Sequence, residues 1–304
     1  MSPLVGNILG DRSMKVVYYP GCTVKSTAIR YEKATIGVLK SFDIDTIEVE
    51  NWTCCGVVYN LAVDSVAYTV APLRNLIRAQ ETARRNETEK IILTLCSMCN
   101  HTLRQAERRY KSDIDGASKL RKYMDDEPEY KGGMRIMHLL EVLNEFIGID
   151  GLKRHVKEHL KGMKVATFYG CLLLRPRGIG VDDPEDPTIM EDILISIGAD
   201  PVDYPYRNEC CGSYSVVRTP GVVWDRVLEI TKAALRAGAR AFVTTCPLCA
   251  FNLEEGQKYR SRELRGKFLP VFYISELIAY ALGRREYIED CVLAQIRRLL
   301  GEDV

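Results

Sequence analysis

Ten of the eleven cysteines in this 304-residue chain fall into two sets that follow the same pattern. Each set has a Gly-Cys pair, then a Cys-Cys-Gly triplet, then a Cys-x-x-Cys motif. Thiolate sulfur is a ligand for zinc and for iron–sulfur clusters, so we interpret both sets as metal-binding. The first set contains Cys22, Cys54, Cys55, Cys96 and Cys99, and the second contains Cys171, Cys210, Cys211, Cys246 and Cys249.

The number of sulfur atoms favours an iron–sulfur cluster over a single ion in each set. Five donors exceed the four of a tetrahedral zinc site and of an ordinary Cys₄ iron–sulfur site. Adjacent cysteines do not chelate one ion comfortably, because successive side chains diverge, but they can bind different irons of one cluster. Gly56 and Gly212 then allow the backbone to turn or to pack closely. Two alternatives stay open, which are zinc in one set and dithiol–disulfide chemistry without metal.

The cysteine motifs follow short apolar runs that are typical of buried strands. These runs are rich in Val, Ile, Thr and Tyr, which favour strands. Between them lie helical patterns over residues 73–85 and 222–235, with Pro72 and Pro220 expected in the first turns. Alternating strands and helices predict an α/β fold with parallel sheets and flanking helices. The strand-like runs cover residues 15–19, 46–49, 90–95, 164–169, 201–204 and 240–245.

The spacing of the motifs indicates an internal duplication. Cys22 and Cys171 are 149 positions apart, and Cys96 and Cys246 are 150 positions apart. We predict one domain over residues 1–152 and a second over 153–304 that ends in an amphipathic helix. Ligands of parallel α/β sheets bind beyond the carboxyl ends of the strands. The motifs of each half emerge there, so we expect the five cysteines of a set to converge.

The composition excludes several classes of protein. Hydrophobic residues make up 46% of the chain and charged residues 27%, as in a soluble globular protein. The net charge of +1 provides no field that would recruit nucleic acid. The first thirteen residues lack the pattern of a signal peptide, and no apolar run of about 18 residues predicts a membrane span. We expect a cytoplasmic protein, in which thiols stay reduced.

The cysteine pattern resembles that of the CCG cysteine-rich domain proteins, and most closely the catalytic B-type subunit of heterodisulfide reductase. The resemblance runs from Tyr18-Tyr19-Pro20-Gly21-Cys22 to Glu276. It implies two similar Rossmann-like CCG domains, each of which holds a noncubane 4Fe–4S cluster on its five cysteines. It also implies an oxidoreductase that cleaves, or in reverse forms, a disulfide or acts on protein-bound sulfur between the two clusters. The implied partners are a ferredoxin-like C-type subunit and a flavin-containing A-type subunit.

Two other functions fit the same pattern. Related CCG subunits pass electrons towards quinone in succinate, fumarate or glycolate oxidoreductase complexes. In that case the C-terminal amphipathic helix would make a peripheral contact with a membrane. A zinc-stabilised scaffold is the third alternative.

A few other residues are weaker candidates for the site. Arg175 and Arg177 follow a predicted cluster ligand and are candidates to bind an anionic group of the substrate, as is Lys25. His101 follows Cys99 closely and is a candidate proton relay. A solvated basic loop and a helix-surface histidine are the simpler interpretations of these residues.

Overall fold

The computed structural model describes residues 13–56 and 67–302. Two four-stranded sheets form its core, one in each half of the chain, and every neighbouring pair of strands is parallel. The strand orders are β2-β1-β3-β4 and β6-β5-β7-β8, so the second sheet repeats the first. This repetition confirms the predicted duplicated α/β fold. The strands are β1 (Met14–Tyr19), β2 (Ile44–Glu48), β3 (Glu89–Thr94), β4 (Arg135–His138), β5 (Lys164–Phe168), β6 (Asp200–Pro201), β7 (Ala241–Thr244) and β8 (Val271–Tyr273).

Helices connect these strands, because parallel neighbours require crossover connections. A π-helical turn at Leu143–Ile147 and a 3₁₀ turn at Arg285–Tyr287 complete the connections. The helices of the first half are α1 (Ile29–Lys40), α2 (Ala67–Asn86), α3 (Ser97–Ser112), α4 (Ile114–Tyr123), α5 (Leu139–Val142) and α6 (Gly148–His155). Those of the second half are α7 (Ile189–Ser196), α8 (Ser215–Arg218), α9 (Pro220–Arg236), α10 (Pro247–Tyr259), α11 (Ile274–Ala281) and α12 (Asp290–Leu300).

Most of the predicted elements are present, with differences at two prolines. Pro220 begins α9 as expected. The prediction for Pro72 is wrong, because α2 is already helical at Ala67 and the proline lies inside it. The strand predicted over 201–204 is confirmed at Pro201 alone, because β6 covers only Asp200–Pro201 and residues 202–204 lie outside it. The predicted C-terminal amphipathic helix is α12.

The two halves pack against each other mainly through α1 and α11. The ring of Tyr31 stacks on the ring of Tyr273, with centroids 4.3 Å apart and planes within 5° of parallel. The Ser275 hydroxyl donates to the carbonyl of Tyr31 at 3.3 Å. The domain boundary predicted at residue 152 falls inside α6, and its position stays a prediction.

An arginine–glutamate pair occurs in both halves, but the arginine comes from different places. In the first half, Arg104 of α3 donates to Glu141 at 2.6 Å. Glu276 is the counterpart of Glu141, and it accepts from Arg30 of the other half at 2.7 and 2.9 Å. The position that corresponds to Arg104 is occupied by Glu254, which also accepts from Arg30, at 3.0 Å. Arg30 therefore ties α1 to the second half through two carboxylates.

Candidate metal centre

Both Cys-x-x-Cys motifs lie where a strand gives way to a helix. Cys96 is the N-cap residue of α3, just after β3, and Cys246 is the N-cap residue of α10, just after β7. The N-terminus of a helix carries partial positive charge, which stabilises a thiolate. Both motifs therefore lie at the carboxyl edge of a sheet, where the sequence predicted them.

The cysteines of the first set lie together in pairs. The sulfur atoms of Cys22 and Cys54 are 3.6 Å apart, and those of Cys55 and Cys99 are 3.5 Å apart. The Cys55 and Cys96 thiols, together with burial, raise the pKa of Cys99 well above its usual range. Cys22 and Cys54 are exposed, whereas the other three are buried. The first set therefore brings sulfur atoms close together, and Cys22 and Cys54 are its solvent-exposed members.

The second set repeats these pairings at the corresponding positions. The thiol of Cys210 raises the pKa of Cys171, and the thiol of Cys211 raises the pKa of Cys249, so the members of each pair are neighbours. The backbone amide of Gly212 donates to the Cys210 sulfur at 3.3 Å. Burial is greater here, because none of the five cysteines is exposed.

A glycine before the first cysteine of each set leaves room for sulfur. Gly21 has φ of +75° and Gly170 has φ of +72°, a region that side chains rarely adopt. A Cβ atom at Gly21 would lie 2.7 Å from the Cys99 sulfur, and one at Gly170 would lie 2.9 Å from the Cys249 sulfur. These glycines therefore allow the backbone to approach the sulfur atoms in both halves.

The two sets meet at Cys96 and Cys246. Both residues are buried, and their thiols influence each other's ionisation across the interface between the halves. The neighbouring thiols of Cys246 and Cys99 hold the pKa of the Cys96 thiol well below its usual range. Cys249 lowers the pKa of Cys246, but Cys96 and burial outweigh this effect and raise that pKa to about 12. The two sets therefore adjoin each other at this pair of cysteines.

The donor set fits an iron–sulfur group better than a structural disulfide framework. All eleven cysteines lie in the described part of the chain, and none forms a disulfide there. Within residues 13–56 and 67–302, no group of three or more His, Cys, Asp or Glu side chains is arranged to hold a single metal ion. Paired sulfur atoms, helix N-termini and glycines that leave space for sulfur are all present in each set.

Lys25 and Arg177, two of the three cationic candidates, already have anionic partners. Lys25 contacts Glu32 and Glu48, each at 2.7 Å. Arg177 lies 3.6 Å from the carboxylate of Asp183. Their contact with a substrate stays a prediction.

Arg175 and His101 lie together although they belong to different halves. Arg175 donates to the carbonyl of Asn208 at 2.8 Å and pairs with Glu185 at 3.3 Å. The Nδ1 atom of His101 is 3.1 Å from the carbonyl of Arg175. Burial lowers the pKa of His101, which favours the neutral ring at pH 7. A role in proton transfer stays a prediction.

Sequence reasoning missed Asn75, which holds the loop before the first Cys-Cys-Gly triplet. Its side chain donates to the Thr53 carbonyl at 3.0 Å and accepts from the Thr53 amide at 2.8 Å. The Tyr19 hydroxyl donates to the same carbonyl at 2.6 Å. Asn75 is buried in α2 beside Leu76 and Ile77, so a polar residue next to an apolar stripe was the available signal.

Comparison with known proteins identifies the family. The profile of the CCG cysteine-rich domain matches the chain twice, over residues 16–104 and 165–254. This chain belongs to the CCG cysteine-rich domain family. The two matches contain the two cysteine sets, so each half carries one CCG domain.

Several CCG relatives are subunits of multisubunit reductases. The chain is 32% identical over 274 residues to the 8-methylmenaquinol:fumarate reductase membrane anchor subunit of Wolinella succinogenes, covering 88% of this chain and 91% of that protein. It is 28% identical over 279 residues to the B-type subunit of the ferredoxin/F(420)H(2)-dependent CoB-CoM heterodisulfide reductase of Methanosarcina acetivorans, covering 88% and 89%. These similarities support an iron–sulfur electron-transfer role for the CCG chain.

A solved structure shares the fold without close sequence similarity. A hypothetical protein from Helicobacter pylori aligns with a TM-score of 0.67 and 10% identity over 95% of this chain. The chain spans 52% of the length of that protein. In the part of the chain that the structure describes, no helix combines the length and apolar character needed to cross a bilayer.

Proposed function

We propose that this chain is the iron–sulfur subunit of a heterodisulfide reductase-type complex and that it acts on a disulfide or on protein-bound sulfur. The observation that carries the proposal is the buried contact between Cys96 and Cys246, which joins the two cysteine sets. Cleavage of a disulfide requires two electrons. Two adjoining one-electron centres match that requirement better than a single isolated centre does.

Each set of five cysteines would hold one cluster, which we propose to be a noncubane 4Fe–4S cluster. When bound, such a cluster supplies one-electron redox chemistry. The first cluster would take Cys22, Cys54, Cys55, Cys96 and Cys99, and the second would take Cys171, Cys210, Cys211, Cys246 and Cys249.

The protein would bind these groups, shield them from water and position the substrate. Six of the ten cysteines are buried, and Cys96 and Cys246 are the N-cap residues of α3 and α10. Lys25, Arg175 and Arg177 are the proposed contacts for an anionic substrate. His101 is the proposed proton relay.

The proposed partners are a ferredoxin-like C-type subunit and a flavin-containing A-type subunit. The likeness to named subunits of reductase complexes supports an assembly of this kind. The proposal keeps the cytoplasmic location expected from the cysteines, because thiols stay reduced in that compartment.

A second candidate function is electron transfer to quinone. The 32% identity to the 8-methylmenaquinol:fumarate reductase subunit favours it. In this case α12 would contact the membrane through its apolar residues Leu293, Leu299 and Leu300, which are only partly buried against the core. Arg297 and Arg298 lie in the last turn of the same helix and would face anionic headgroups.

Cysteine substitution tests the metal assignment. We expect Cys55→Ala and Cys211→Ala each to lose about half of the iron and acid-labile sulfide of anaerobically purified protein, since each removes a ligand of one cluster. Cys291→Ala is the matched control, because Cys291 is exposed and lies outside both sets. Unchanged iron in both variants, or zinc without sulfide in the wild-type protein, would contradict the proposal.

Substrate assays of the purified complex separate the two candidate functions. With a reduced viologen as donor, turnover of a disulfide in the absence of quinone supports the sulfur reaction. Activity that requires a menaquinone analogue, with no turnover of disulfides, supports the second candidate function and contradicts the first.

A further inference from the structure

Asn252 is a buried asparagine of α10 whose side chain contacts a proposed cluster ligand. Its Nδ2 atom lies 3.2 Å from the sulfur atom of Cys211 and 3.4 Å from the carbonyl oxygen of Ser213. A carbonyl oxygen only accepts hydrogen bonds, so the contact with Ser213 determines that the NH₂ end of the amide faces this loop. The two N–H groups of Nδ2 therefore donate to the carbonyl and to the Cys211 sulfur.

The hydrogen bond between Asn252 and Cys211 lies in the protein interior. Asn252 is fully buried, and Cys211 is 3% exposed. A hydrogen bond to an ionised acceptor is stronger than one between neutral groups, and the low dielectric of the interior strengthens it further. A cysteine that binds iron does so as a thiolate, so the Cys211 sulfur would be an ionised acceptor in the loaded protein.

The fold alone does not account for an asparagine at this position. The Oδ1 atom of Asn252 is buried, and it makes no hydrogen bond to the residues that the structure describes. A buried acceptor without a partner is unfavourable, whereas an apolar side chain of the same shape has no such atom. The amide differs from an apolar side chain by its donor end, which faces Cys211 and Ser213.

The first half carries a different residue at the corresponding position. Thr102 follows Cys99 by three residues, as Asn252 follows Cys249. Thr102 is also buried, and its hydroxyl makes no hydrogen bond within the described part of the chain. An amide donor at this position therefore belongs to the second half alone.

We propose that Asn252 donates a hydrogen bond to the cluster thiolate of Cys211 and thereby raises the reduction potential of the second cluster. The inference rests on the proposed function, because it requires an iron–sulfur cluster on the second set. Hydrogen bonds to the sulfur atoms are one of the factors that set the potential of such a cluster. A donor at Cys211 stabilises the reduced, more negative state more than the oxidised state. Asn252 is thus a positioning residue that acts through a ligand.

Replacement of the amide tests this role. Asn252→Leu has a similar volume and no donor, and Asn252→Thr copies the residue of the first half. We expect the equilibrium constant for reduction of one cluster to fall about tenfold in each variant, a shift of about 59 mV for a one-electron couple. A redox titration followed by electron paramagnetic resonance measures the shift. Iron and acid-labile sulfide should stay at the wild-type level, because no ligand is removed.

Gln257→Met is the matched control. Gln257 is a buried amide of the same helix, but it donates to the carbonyls of Leu253 and Leu269 and not to sulfur. Its replacement removes a buried amide from α10 and keeps the hydrogen bond to Cys211, so the potentials should stay unchanged. A shift as large as that of Asn252→Leu would assign the effect to packing and overturn the proposal.

A second measurement detects the hydrogen bond directly. In protein labelled with ¹⁵N-asparagine, electron spin echo envelope modulation should show a nitrogen coupled to one reduced cluster, and Asn252→Leu should lose that coupling. Unchanged potentials in iron-loaded Asn252→Leu, a coupling that persists in this variant, or no coupling in the wild-type protein would overturn the role of Asn252 and leave the proposed function intact. Wild-type protein without iron would overturn both.

Discussion

Replacing Arg30 with glutamine should destabilise the protein, because the buried carboxylate of Glu276 in the second half would lose its cationic partner. Glu276 is 1% exposed and accepts hydrogen bonds from Arg30 at 2.7 and 2.9 Å and from the Tyr273 amide at 2.8 Å. Removal of one partner of a buried ion pair costs about 3–5 kcal/mol of unfolding free energy. Arg30 is itself partly exposed, so we expect about 3 kcal/mol, the lower end of that range.

The unfolding free energy lost in Arg30→Gln should increase as the pH rises. Burial raises the pKa of Glu276 to about 7 even with Arg30 beside it. Without the arginine the pKa rises further, so the carboxyl group is mostly protonated and neutral at pH 6. At pH 8 the folded protein must either hold an unpaired charge or bind a proton that the unfolded chain releases. The destabilisation is therefore larger at pH 8 than at pH 6.

The Arg104–Glu141 pair of the first half suggests a second substitution that should restore stability to Arg30→Gln. Arg104 of α3 pairs with Glu141, and Glu254 occupies the corresponding place in α10. The double variant Arg30→Gln/Glu254→Arg places an arginine where the first half has one. We expect it to recover at least half of the loss, because the new cation lies on the helix that reaches the equivalent carboxylate.

Urea denaturation at pH 6 and pH 8 under anaerobic conditions measures these free energies. Arg135→Gln is the control, since Arg135 and Glu145 form an exposed pair that should contribute about 0.2–1 kcal/mol. If Arg30→Gln loses no more unfolding free energy than Arg135→Gln at either pH, the reasoning from the buried charge is refuted. A double variant that is less stable than Arg30→Gln would refute the equivalence of the two positions.

Two further predictions concern a histidine and a glycine. His138 is buried with Nε2 at 2.9 Å from the Leu95 carbonyl, and burial lowers its pKa to about 3. Its contribution to stability is present in full well above pH 6.5 and is lost as the pH falls towards 3. Because the raised pKa of Glu276 acts in the opposite direction over the same range, the quantity to measure is the difference in unfolding free energy between wild-type protein and His138→Gln, which should fall by about 1.4 kcal/mol between pH 7.5 and 5.5. His159→Gln, at an exposed position, is the control and should not reproduce this change. Gly21→Ala should lower the iron content by about half, since one of the two proposed clusters would be lost; Gly162→Ala, with similar φ and nothing within 4 Å, should not, and equal iron in both variants would refute the steric argument.

Much of the fold could be predicted because the relevant signals are local. The strand-like run 90–95 and the Cys-x-x-Cys motif after it determine a strand–helix junction, and β3 and α3 form one. The carboxyl-end rule then brings the motifs of one half together. The helix start at Pro72 was wrong because a single proline does not outweigh the helical residues on both sides of it.

The contacts between the halves could not be predicted from the sequence. Arg30 and Glu276 are 246 positions apart, and their pairing depends on how two finished domains dock. The contact between Cys96 and Cys246 has the same origin. The hydrogen bonds of Asn75 to the Thr53 loop likewise depend on tertiary packing, which periodicity does not specify.

The unequal burial of the two cysteine sets has a consequence for handling the protein. Cys22 and Cys54 are exposed to solvent, whereas each cysteine of the second set is at least partly covered. Exposed thiolates oxidise first. If each set holds one cluster as proposed, aerobic preparations should lose iron from the amino-terminal half first, and an iron count below two clusters would reflect this uneven loss.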